Sequence, residues 1–539
     1  MVNLSISLLF IFFTLFSSSS LLARATSSGS PDTQSFLQCL SLRNNTFIPN
    51  NITYTQNDSS YSTVLNSGIF NLRFASPSTP KPLVVITPID ESQVPPVVEC
   101  SKEHGLQIRI RSGGHDYEGA SSVSQLPFVI LDLLNLRSID IDVESGTAWV
   151  QSGAIIGELY YRIAEASPTL AFPAGVCPTL GIGGHFAGGA YGTLLRKHGL
   201  GADHIIDAHV VDANGRILDR ESMGEDLFWA LRGGGGASFG VILSWKVNLV
   251  PVPETVTVFS VQRTLQQNGT ELLHHWQSIA HDFHEDLFVR VIFSRIGSVE
   301  TGNATIGVTF NSLFLGGVDR LLSMMQESFP ELGLVREDCE EMSWVESTLY
   351  FNGFPTQPLD FLLNRTALDK RYFKAKSDYV TQPIPLAAFE GIWNLLYEEE
   401  AAGAVVIFAP YGGRMNEISK SAIPFPHRAG NLYSIQHLVY WNAEDNAESE
   451  KYITWMRKLY RYFGAYVSKS PRAAYINYKD YDLGQNNLGN TSFAKASIWG
   501  TDYFNGNFKR LAQVKAVVDP GNFFRNEQSI PPLYYNRKN

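Results

Sequence analysis

Two chemically capable side chains lie in unusually glycine-rich parts of this sequence. His115 stands in the stretch RSGGHDYEG, directly behind Gly113 and Gly114, and Cys177 stands in GVCPTLGIGGH, followed by a proline. Glycine carries no Cβ, so a ligand can approach the main chain closely at such positions. This arrangement could serve four purposes: to bind a metal, to supply a nucleophile, to hold a phosphate, or to attach a cofactor.

The spacing gives little support to a metal or a nucleophile. Neither His115 nor Cys177 belongs to a C-x-x-C or H-E-x-x-H pair, and His185 does not complete a ligand set, so no metal is predicted. The chain has no G-x-S-x-G elbow, and a proline after the cysteine disfavours the turn that presents a nucleophile. A Cys–His thiol hydrolase stays open at this point.

Three glycine-rich loops, at 112–114, 181–189 and 233–236, share one α/β region. The G-x-G in GIGGHFAGG lacks the preceding strand and the later acid of a dinucleotide-binding fingerprint. The backbone amides of such loops can hold a pyrophosphate without lysine or arginine. A large flat cofactor that carries a pyrophosphate fits the pattern best, with incidental loops as the alternative.

Composition and periodicity give the frame that must position these loops. The 539 residues carry a net charge of −10, which argues against nucleic-acid binding. Alternating strands and helices predict an α/β region from about residue 82 to about 251, after a lead-in at 26–76. β-branched strands and long helices follow over 252–470, and a helix, a turn and an extended exit fill 471–539.

The N-terminus predicts export. Residues 1–25 contain the apolar run LSISLLFIFFTLF, then serine-rich sequence and Ala23-Arg24-Ala25, a pattern that is typical of a signal peptide. No later stretch has the ~18 apolar residues of a membrane span. An oxidising compartment favours one disulfide between Cys39 and Cys100, which flank the N-terminal region in apolar contexts. Seven glycosylation sequons remain after cleavage, at Asn44, Asn51, Asn57, Asn268, Asn303, Asn364 and Asn490.

Several motifs, in this order and spacing, resemble the plant berberine bridge enzyme-like flavoproteins of the vanillyl-alcohol-oxidase group. They are RSGGHDYEG, GVCPTLGIGGHFAGGAYGTLLRKHGLGADHIIDAHVVDANGRIL, DLFWALRGGGGASFGVI and YINYKDYDLG, with NFFRNEQSIPP near the end. The resemblance covers nearly the whole mature chain. It implies an α/β (α+β) fold with a PCMH-type FAD-binding domain at 77–251, to which 26–76 and 471–539 return. It also implies an α/β substrate domain with an antiparallel sheet at 252–470, and the Cys39–Cys100 disulfide.

The same resemblance implies bicovalent FAD, bonded through His115 and Cys177 to the outer ring of the isoalloxazine. The remaining cofactor contacts that it implies are Arg111, Ser112, Gly113, Gly114, Asp116, Tyr117, Gly181, Gly184, His185, Gly188, Gly189, Val241 and Asn477. Leu180 occupies the position that tunes oxygen access in this family. Leucine there resembles the dehydrogenase-like members more than the fast oxidases.

On the substrate side, the resemblance implies that Tyr478 is the base, helped by Tyr191, and that Gln436 orients the substrate. A tyrosine with a pKa of about 10 needs a nearby cation to act at neutral pH. Relatives that oxidise monolignols have a lysine where this chain has Ser434. Arg290 and Arg295 are therefore the candidate cations.

His437 is a candidate substrate contact. Because neighbouring residues on a strand point to opposite faces, His437 should point away from Gln436, and we favour the alternative that it is buried or lies behind the site.

We expect hydride transfer to FAD from a small plant metabolite, either an allylic or benzylic alcohol or a prenylated phenol. Oxygen or another acceptor would then take the electrons. Two alternatives stay open: a redox-neutral cyclase that keeps the flavin as a scaffold, and a carbohydrate oxidase. We expect a monomer, exported to the extracellular space or the vacuole, with no nucleic-acid partner and no membrane span.

Overall fold

The computed structural model describes residues 32–43, 52–297, 302–487, 489 and 491–534. The predicted signal peptide and the sequons at Asn44, Asn51 and Asn490 lie outside these residues. Within the described part, none of the helices combines the length and the apolar character that crossing a bilayer requires.

Two β-sheets build the N-terminal half. The first sheet contains, in spatial order, β1 Thr53–Thr55, β2 Val84–Ile86, β4 Phe128–Asp132 and β3 Gln107–Arg111. The second contains β5 Ile139–Asp142, β6 Thr147–Gln151, β10 Val241–Asn248, β8 Ile205–Val211 and β9 Ile217–Leu218. A short pair joins β7 Leu170–Ala171 to β11 Val250–Pro251. In the first sheet β2, β4 and β3 run parallel, whereas β1 comes from the lead-in and pairs antiparallel with β2.

The second half is built on a larger antiparallel sheet. Its strands, in spatial order, are β15 Cys339–Met342, β12 Val256–Thr264, β14 Thr305–Phe314, β13 Leu287–Ile296, β17 Ala404–Pro410, β18 Tyr433–Trp441 and β16 Tyr372–Val380. One face is buried under helices in an apolar cluster that includes Val291, Phe408 and Val439. This antiparallel sheet confirms the fold class that the sequence predicted.

The helices cover the outer faces of the sheets. In chain order they are α1 Thr33–Arg43, α2 Tyr61–Ser67, α3 Val94–Glu103, α4 Ile156–Ala166, α5 Ile182–Ala187, α6 Leu195–His198, α7 Arg220–Leu231, α8 Gly269–Ile279, α9 Val318–Ser328, α10 Trp344–Phe351, α11 Leu386–Leu396, α12 Arg414–Glu417, α13 Ser449–Phe463, α14 Phe493–Phe504 and α15 Asn507–Val518. Their apolar stripes supply the buried face that each sheet needs.

Both ends of the described chain are tied to the N-terminal half. Cys39 on α1 and Cys100 on α3 form a disulfide, which confirms the predicted pairing. At the other end, Trp499 and Leu511 from α14 and α15 are buried in the same apolar cluster as Trp245 of the second sheet. The C-terminal segment therefore returns to the half of the molecule that carries the glycine-rich loops.

Candidate active site

A cavity of about 600 Å³ lies between the glycine-rich loops and the free face of the large sheet. The loops line one side with His115, Cys177, His185 and Gly236, among others. The sheet lines the opposite side with side chains that alternate along its strands. Loops of the first half and strands of the second half thus enclose one space.

His115 and Cys177 meet in this cavity at a single hydroxyl group. His115 Nε2 lies 2.9 Å from Thr179 Oγ1, and Cys177 Sγ lies 3.7 Å from the same oxygen. Phe70 stacks on the imidazole with the ring centroids 4.0 Å apart. Burial lowers the pKa of His115 to about 4 and raises that of the Cys177 thiol, so both side chains are neutral at neutral pH.

The glycines of the loops serve two different purposes. A Cβ on Gly113 would lie 2.3 Å from the backbone nitrogen of Gly181, so these glycines let two loops pack backbone against backbone. A Cβ on Gly184 would meet no atom within 4 Å, and one on Gly236 would meet only Gly184 Cα, at 3.9 Å. Those two glycines leave open space for something flat or phosphorylated to approach the main chain.

His185 and Asn477 connect the loops to the C-terminal segment. His185 Nε2 accepts a hydrogen bond from Gly175 N, and burial lowers the pKa of this imidazole to about 3. Asn477 donates to the carbonyl oxygen of His185 and to the hydroxyl of Tyr475, each at 2.9 Å. The stretch that carries Tyr478 is therefore held against the second glycine loop.

Three of the tyrosines that line the cavity, Tyr117, Tyr191 and Tyr478, come from separate parts of the chain. Tyr191 and Tyr478 share a hydrogen bond of 2.5 Å between their hydroxyl groups. Tyr117 stacks on Tyr478, with ring centroids 5.4 Å apart and planes 4° from parallel. Gln436 on β18 donates to the Tyr117 hydroxyl at 2.7 Å. Two phenols, a stacked third ring and an amide thus form one connected group.

Arg290 on β13 supplies positive charge beside the tyrosine pair. Burial raises the pKa of Tyr191, and the Tyr478 hydroxyl, the Arg290 charge and Ser434 oppose that rise. Burial lowers the pKa of Arg290 to about 10, so the guanidinium stays charged at neutral pH. It donates to Asn311 Oδ1 and to the Phe351 carbonyl oxygen, both neutral acceptors. A buried phenolate in this pair would therefore have a cation nearby.

The rest of the sheet side is largely apolar. Phe288, Ile407 and Leu438 line it from three adjacent strands, and Phe373 lines it from the edge strand β16. Alternate residues on a strand share a face, and the strand register aligns Ile407 with Gln436 and Phe373 with Tyr440. An aromatic or aliphatic ligand would be desolvated here beside the tyrosine pair.

Two family models match the chain. The model for an FAD-binding domain matches residues 82–220, and the model described as berberine and berberine-like matches residues 474–531. The chain is 54% identical to the tetrahydroberberine oxidase of Berberis wilsoniae over 97% of its own length and 98% of the relative. It is 51% identical to the Arabidopsis thaliana monolignol oxidoreductase AtBBE-like 13 over 92% and 93%. The crystal structure of Phl p 4, a grass pollen allergen with glucose dehydrogenase activity, matches with a TM-score of 0.87 and 44% identity over 93% and 100%.

The chain belongs to the berberine bridge enzyme-like family. It is an FAD-linked oxidoreductase, which confirms that part of the expectation. The residues of this berberine bridge enzyme-like protein fit the cofactor, because the glycine loops leave open space at Gly184 and Gly236 while His115 and Cys177 face one cavity.

Most of the predicted site residues of the berberine bridge enzyme-like protein line the cavity. They are Ser112, Gly113, Gly114, His115, Asp116, Tyr117, Cys177, Leu180, Gly181, Gly184, His185, Tyr191, Arg290, Gln436, Asn477 and Tyr478. Tyr117 was expected at the cofactor, but its ring stacks on Tyr478 and packs edge-on against Phe373. It therefore also contributes to the substrate side.

Two predicted substrate contacts lie on the wrong face of the sheet. Arg295 and Arg290 are an odd number of residues apart on β13, so their side chains point in opposite directions. Arg295 instead donates to the carbonyl oxygens of Tyr397 and Glu398. His437 is fully buried and lies 3.0 Å from Asp378. The alternative of a buried structural histidine is the one that the structure supports.

Four predicted cofactor residues do not line the cavity. Arg111 is buried in an ion pair with Asp132, and its other donors go to backbone carbonyls, so it anchors its loop. A Cβ on Gly188 would lie 1.9 Å from Asn477 Oδ1, so this glycine makes room for that amide. Gly189 takes a φ of +128°, and Val241 packs into the core beside the first sheet. These four residues support the backbone around the cavity and do not face the cavity themselves.

Other residues of the site were not predicted from the sequence. Thr179 was missed, although its hydroxyl contacts both His115 and Cys177 and its place two residues after Cys177 was a signal. Leu438 and Tyr440 were missed too, and their even spacing from Gln436 could have shown them. Asn352, which donates to the Val176 carbonyl beside Cys177, had no signal in the sequence.

Proposed function

We propose that this protein oxidises a hydroxyl-bearing plant metabolite by two electrons, with Tyr478 as the base. The substrate class is an allylic or benzylic alcohol or a prenylated phenol. The observation that carries the proposal is the hydrogen-bonded pair of Tyr478 and Tyr191 in the same cavity as His115 and Cys177. Bound FAD supplies two-electron redox chemistry, which the chain's own side chains lack.

In this proposal Tyr478 takes the proton of the substrate hydroxyl. Burial and the neighbouring tyrosines raise the pKa of Tyr478 well above its ordinary value, so the phenolate needs local stabilisation. Tyr191 can donate its hydroxyl proton to that phenolate, and Arg290 adds positive charge. Arg290 thus takes over the role of the cation whose position Ser434 occupies.

Gln436 and Tyr117 position the substrate. The Gln436 amide is fixed by its bond to Tyr117, and Tyr117 is fixed by its stack on Tyr478. Phe288, Ile407 and Leu438 exclude water from the space beside these polar groups. In such a low-dielectric site each hydrogen bond to the reacting oxygen is stronger than in water.

His115 and Cys177 hold the cofactor covalently in our proposal. Their approach to one Thr179 hydroxyl supports a shared target, and their neutral state leaves both a ring nitrogen and a thiol available for bonding. Covalent attachment would prevent loss of the cofactor from an exported enzyme. Leu180, beside them in the cavity, would restrict oxygen and favour another electron acceptor.

Oxidation of a cyclic amine is a second candidate because of the 54% identity to a tetrahydroberberine oxidase. The charged Arg290 beside the tyrosine pair would repel a protonated amine, which is why we favour a hydroxyl substrate. Sugar oxidation, which corresponds to the glucose dehydrogenase activity of Phl p 4, suits a more polar lining. A cyclase would use the same cavity without net oxidation.

We also propose that the chain enters the secretory pathway and is glycosylated. The Cys39–Cys100 disulfide supports an oxidising compartment. The sequon asparagines Asn57, Asn268, Asn303 and Asn364 are all exposed, as glycosylation requires.

Anaerobic mixing of the purified holoenzyme with a substrate panel tests the function. The panel contains cinnamyl-type alcohols, prenylated phenols, tetrahydroberberine and glucose, and the absorbance of oxidised flavin is followed. We expect bleaching with an alcohol or phenol and a product lighter by two hydrogens. A product whose mass equals that of its reactants would show a cyclase. Bleaching by the amine or glucose alone would overturn the substrate class.

A further inference from the structure

Five charged side chains, four of them buried, form a cluster behind the tyrosines, which we name the lysine–carboxylate cluster. Its members are Lys374, Lys376, Glu118, Asp480 and Asp482. Lys374 contacts Glu118 and lies 2.7 Å from Asp480, and Lys376 lies 2.8 Å from Asp482. The side chains of Lys374 and Asp480 are each only 3% exposed.

The cluster joins three separate parts of the chain. Lys374 and Lys376 come from the edge strand β16, Glu118 comes from the loop after β3, and the two aspartates come from the C-terminal segment. Glu118 directly follows Tyr117, and Asp480 comes two residues after Tyr478. The same carboxylates that bind one strand are therefore attached to the two stacked tyrosines.

None of the five side chains lines the cavity, so they do not touch a substrate there. On the opposite face of β16, Phe373 does line the cavity and packs edge-on against Tyr117 at a centroid distance of 5.2 Å. The strand thus holds Tyr117 twice, once through Phe373 and once through Lys374 and Glu118.

Stability alone is a poor explanation for the cluster. Removing charges from water costs free energy that ion pairing often only offsets, and apolar replacements are frequently as stable. What buried charge pairs can provide is one defined arrangement of the segments that they join, because an unpaired buried charge is strongly unfavourable. Burial alone would lower the pKa of Lys374, but Glu118 and Asp480 outweigh it and keep the ammonium charged.

We propose that the lysine–carboxylate cluster is a positioning device that fixes the parallel stack of Tyr117 and Tyr478 and so aims the Tyr478 hydroxyl at the substrate. This inference rests on the proposed function, in which Tyr478 is the base. Slight misplacement of a base lowers the rate without abolishing substrate binding.

A double-mutant cycle with Glu118→Gln and Tyr478→Phe tests the proposal. Glutamine keeps the shape of Glu118 but removes the charge that pairs with Lys374. In the otherwise unchanged holoenzyme we expect kcat to fall about tenfold to a hundredfold, with KM within about twofold and the flavin content retained. In the Tyr478→Phe background the same substitution should cause no further loss, because the residue that it positions is gone.

Equal fold-losses in both backgrounds, or no loss in either, would overturn the positioning role. If Tyr478→Phe itself leaves the rate unchanged, the proposed function fails, and that outcome is distinct from additivity of the two substitutions. Should Glu118→Gln not fold, Glu118→Asp keeps the charge and withdraws it by one methylene. The same cycle then applies with the same two outcomes.

Asp203→Asn is the matched control. Asp203 pairs with the buried Arg428, whose side chain is 0% exposed, and neither residue lines the cavity. This substitution removes one charge of a buried pair that has no hydrogen bond or ring contact with Tyr117 or Tyr478. We expect a loss of thermal stability with kcat within about twofold. A fall in kcat as large as that of Glu118→Gln would show a general effect of buried charge loss and would overturn the proposal.

Discussion

The two sides of the cavity are built in different ways. The cofactor side consists of loops whose glycines remove side chains, so the backbone and two isolated residues, His115 and Cys177, face the open space. The sheet side consists of regular strands, which present every second side chain, among them Arg290 and Gln436. The loops can hold a group that many enzymes share, whereas the strands can vary one side chain at a time and so set the substrate.

The largest effect is expected from Tyr478→Phe. In the proposed mechanism this substitution removes the phenolate oxygen that takes the substrate proton, and general-base catalysis contributes about 10²- to 10⁴-fold. We expect kcat to fall by about 10³-fold while the flavin stays bound and its spectrum is unchanged, measured by anaerobic flavin reduction. An unchanged rate of flavin reduction would show that Tyr478 is a structural residue and not the base.

Arg290→Met should come next. Loss of the cation removes stabilisation of the phenolate, so the pKa of the tyrosine pair rises and the rising limb of the rate moves to higher pH. We expect a loss of about tenfold to a hundredfold at pH 7 that is partly regained in alkaline buffer. If the rising limb of the kcat/KM pH profile stayed at the same pH in Arg290→Met, Arg290 would not stabilise the phenolate.

Gly184 and Gly188 differ in what an added methyl group would meet. Gly184→Ala places a methyl group in open space, so we expect normal thermal stability but about a severalfold loss of flavin incorporation. Gly188→Ala drives its methyl group into Asn477, and we expect a loss of stability of about 1–3 kcal/mol. Flavin content and thermal unfolding of both variants measure the difference. If the two variants lost flavin and thermal stability to the same extent, the two glycines would not have different roles.

The smallest effect on activity is expected from Arg295→Met. This arginine lies on the helix-covered face of the same strand as Arg290 and donates only to backbone carbonyls within the described residues. We expect kcat within about twofold and a stability loss of about 1 kcal/mol. A loss of activity comparable to that of Arg290→Met would mean that the face assignment of β13 is wrong.

The contrast between loops and strands also explains what the sequence could predict. The loops were identified from local composition, because several glycines cluster around His115 and around Cys177. Arg290 and Arg295 looked equivalent in the sequence. Because they are an odd number of residues apart on one strand, their side chains point to opposite faces, and the spacing alone could have shown this.

Some residues escaped prediction because their contacts depend on long-range packing. Asn352 reaches the loop of Cys177 from the C-terminal end of α10, and Lys374 meets Glu118 and Asp480, which come from distant parts of the chain. Nothing in the local sequence indicates which lysine of a strand will meet which carboxylate. The lead-in strand β1 was missed for the same reason, since its partner β2 lies far along the chain.

The central claim is that His115 and Cys177 hold the same flavin ring from two loops. Acid precipitation of the holoprotein, followed by absorbance spectra of the pellet and the supernatant, tests it most directly. The account predicts a yellow pellet for the unchanged protein and for His115→Ala and Cys177→Ala singly, and release of the flavin from the double variant alone. A colourless pellet from the unchanged protein, with its flavin in the supernatant, would contradict it.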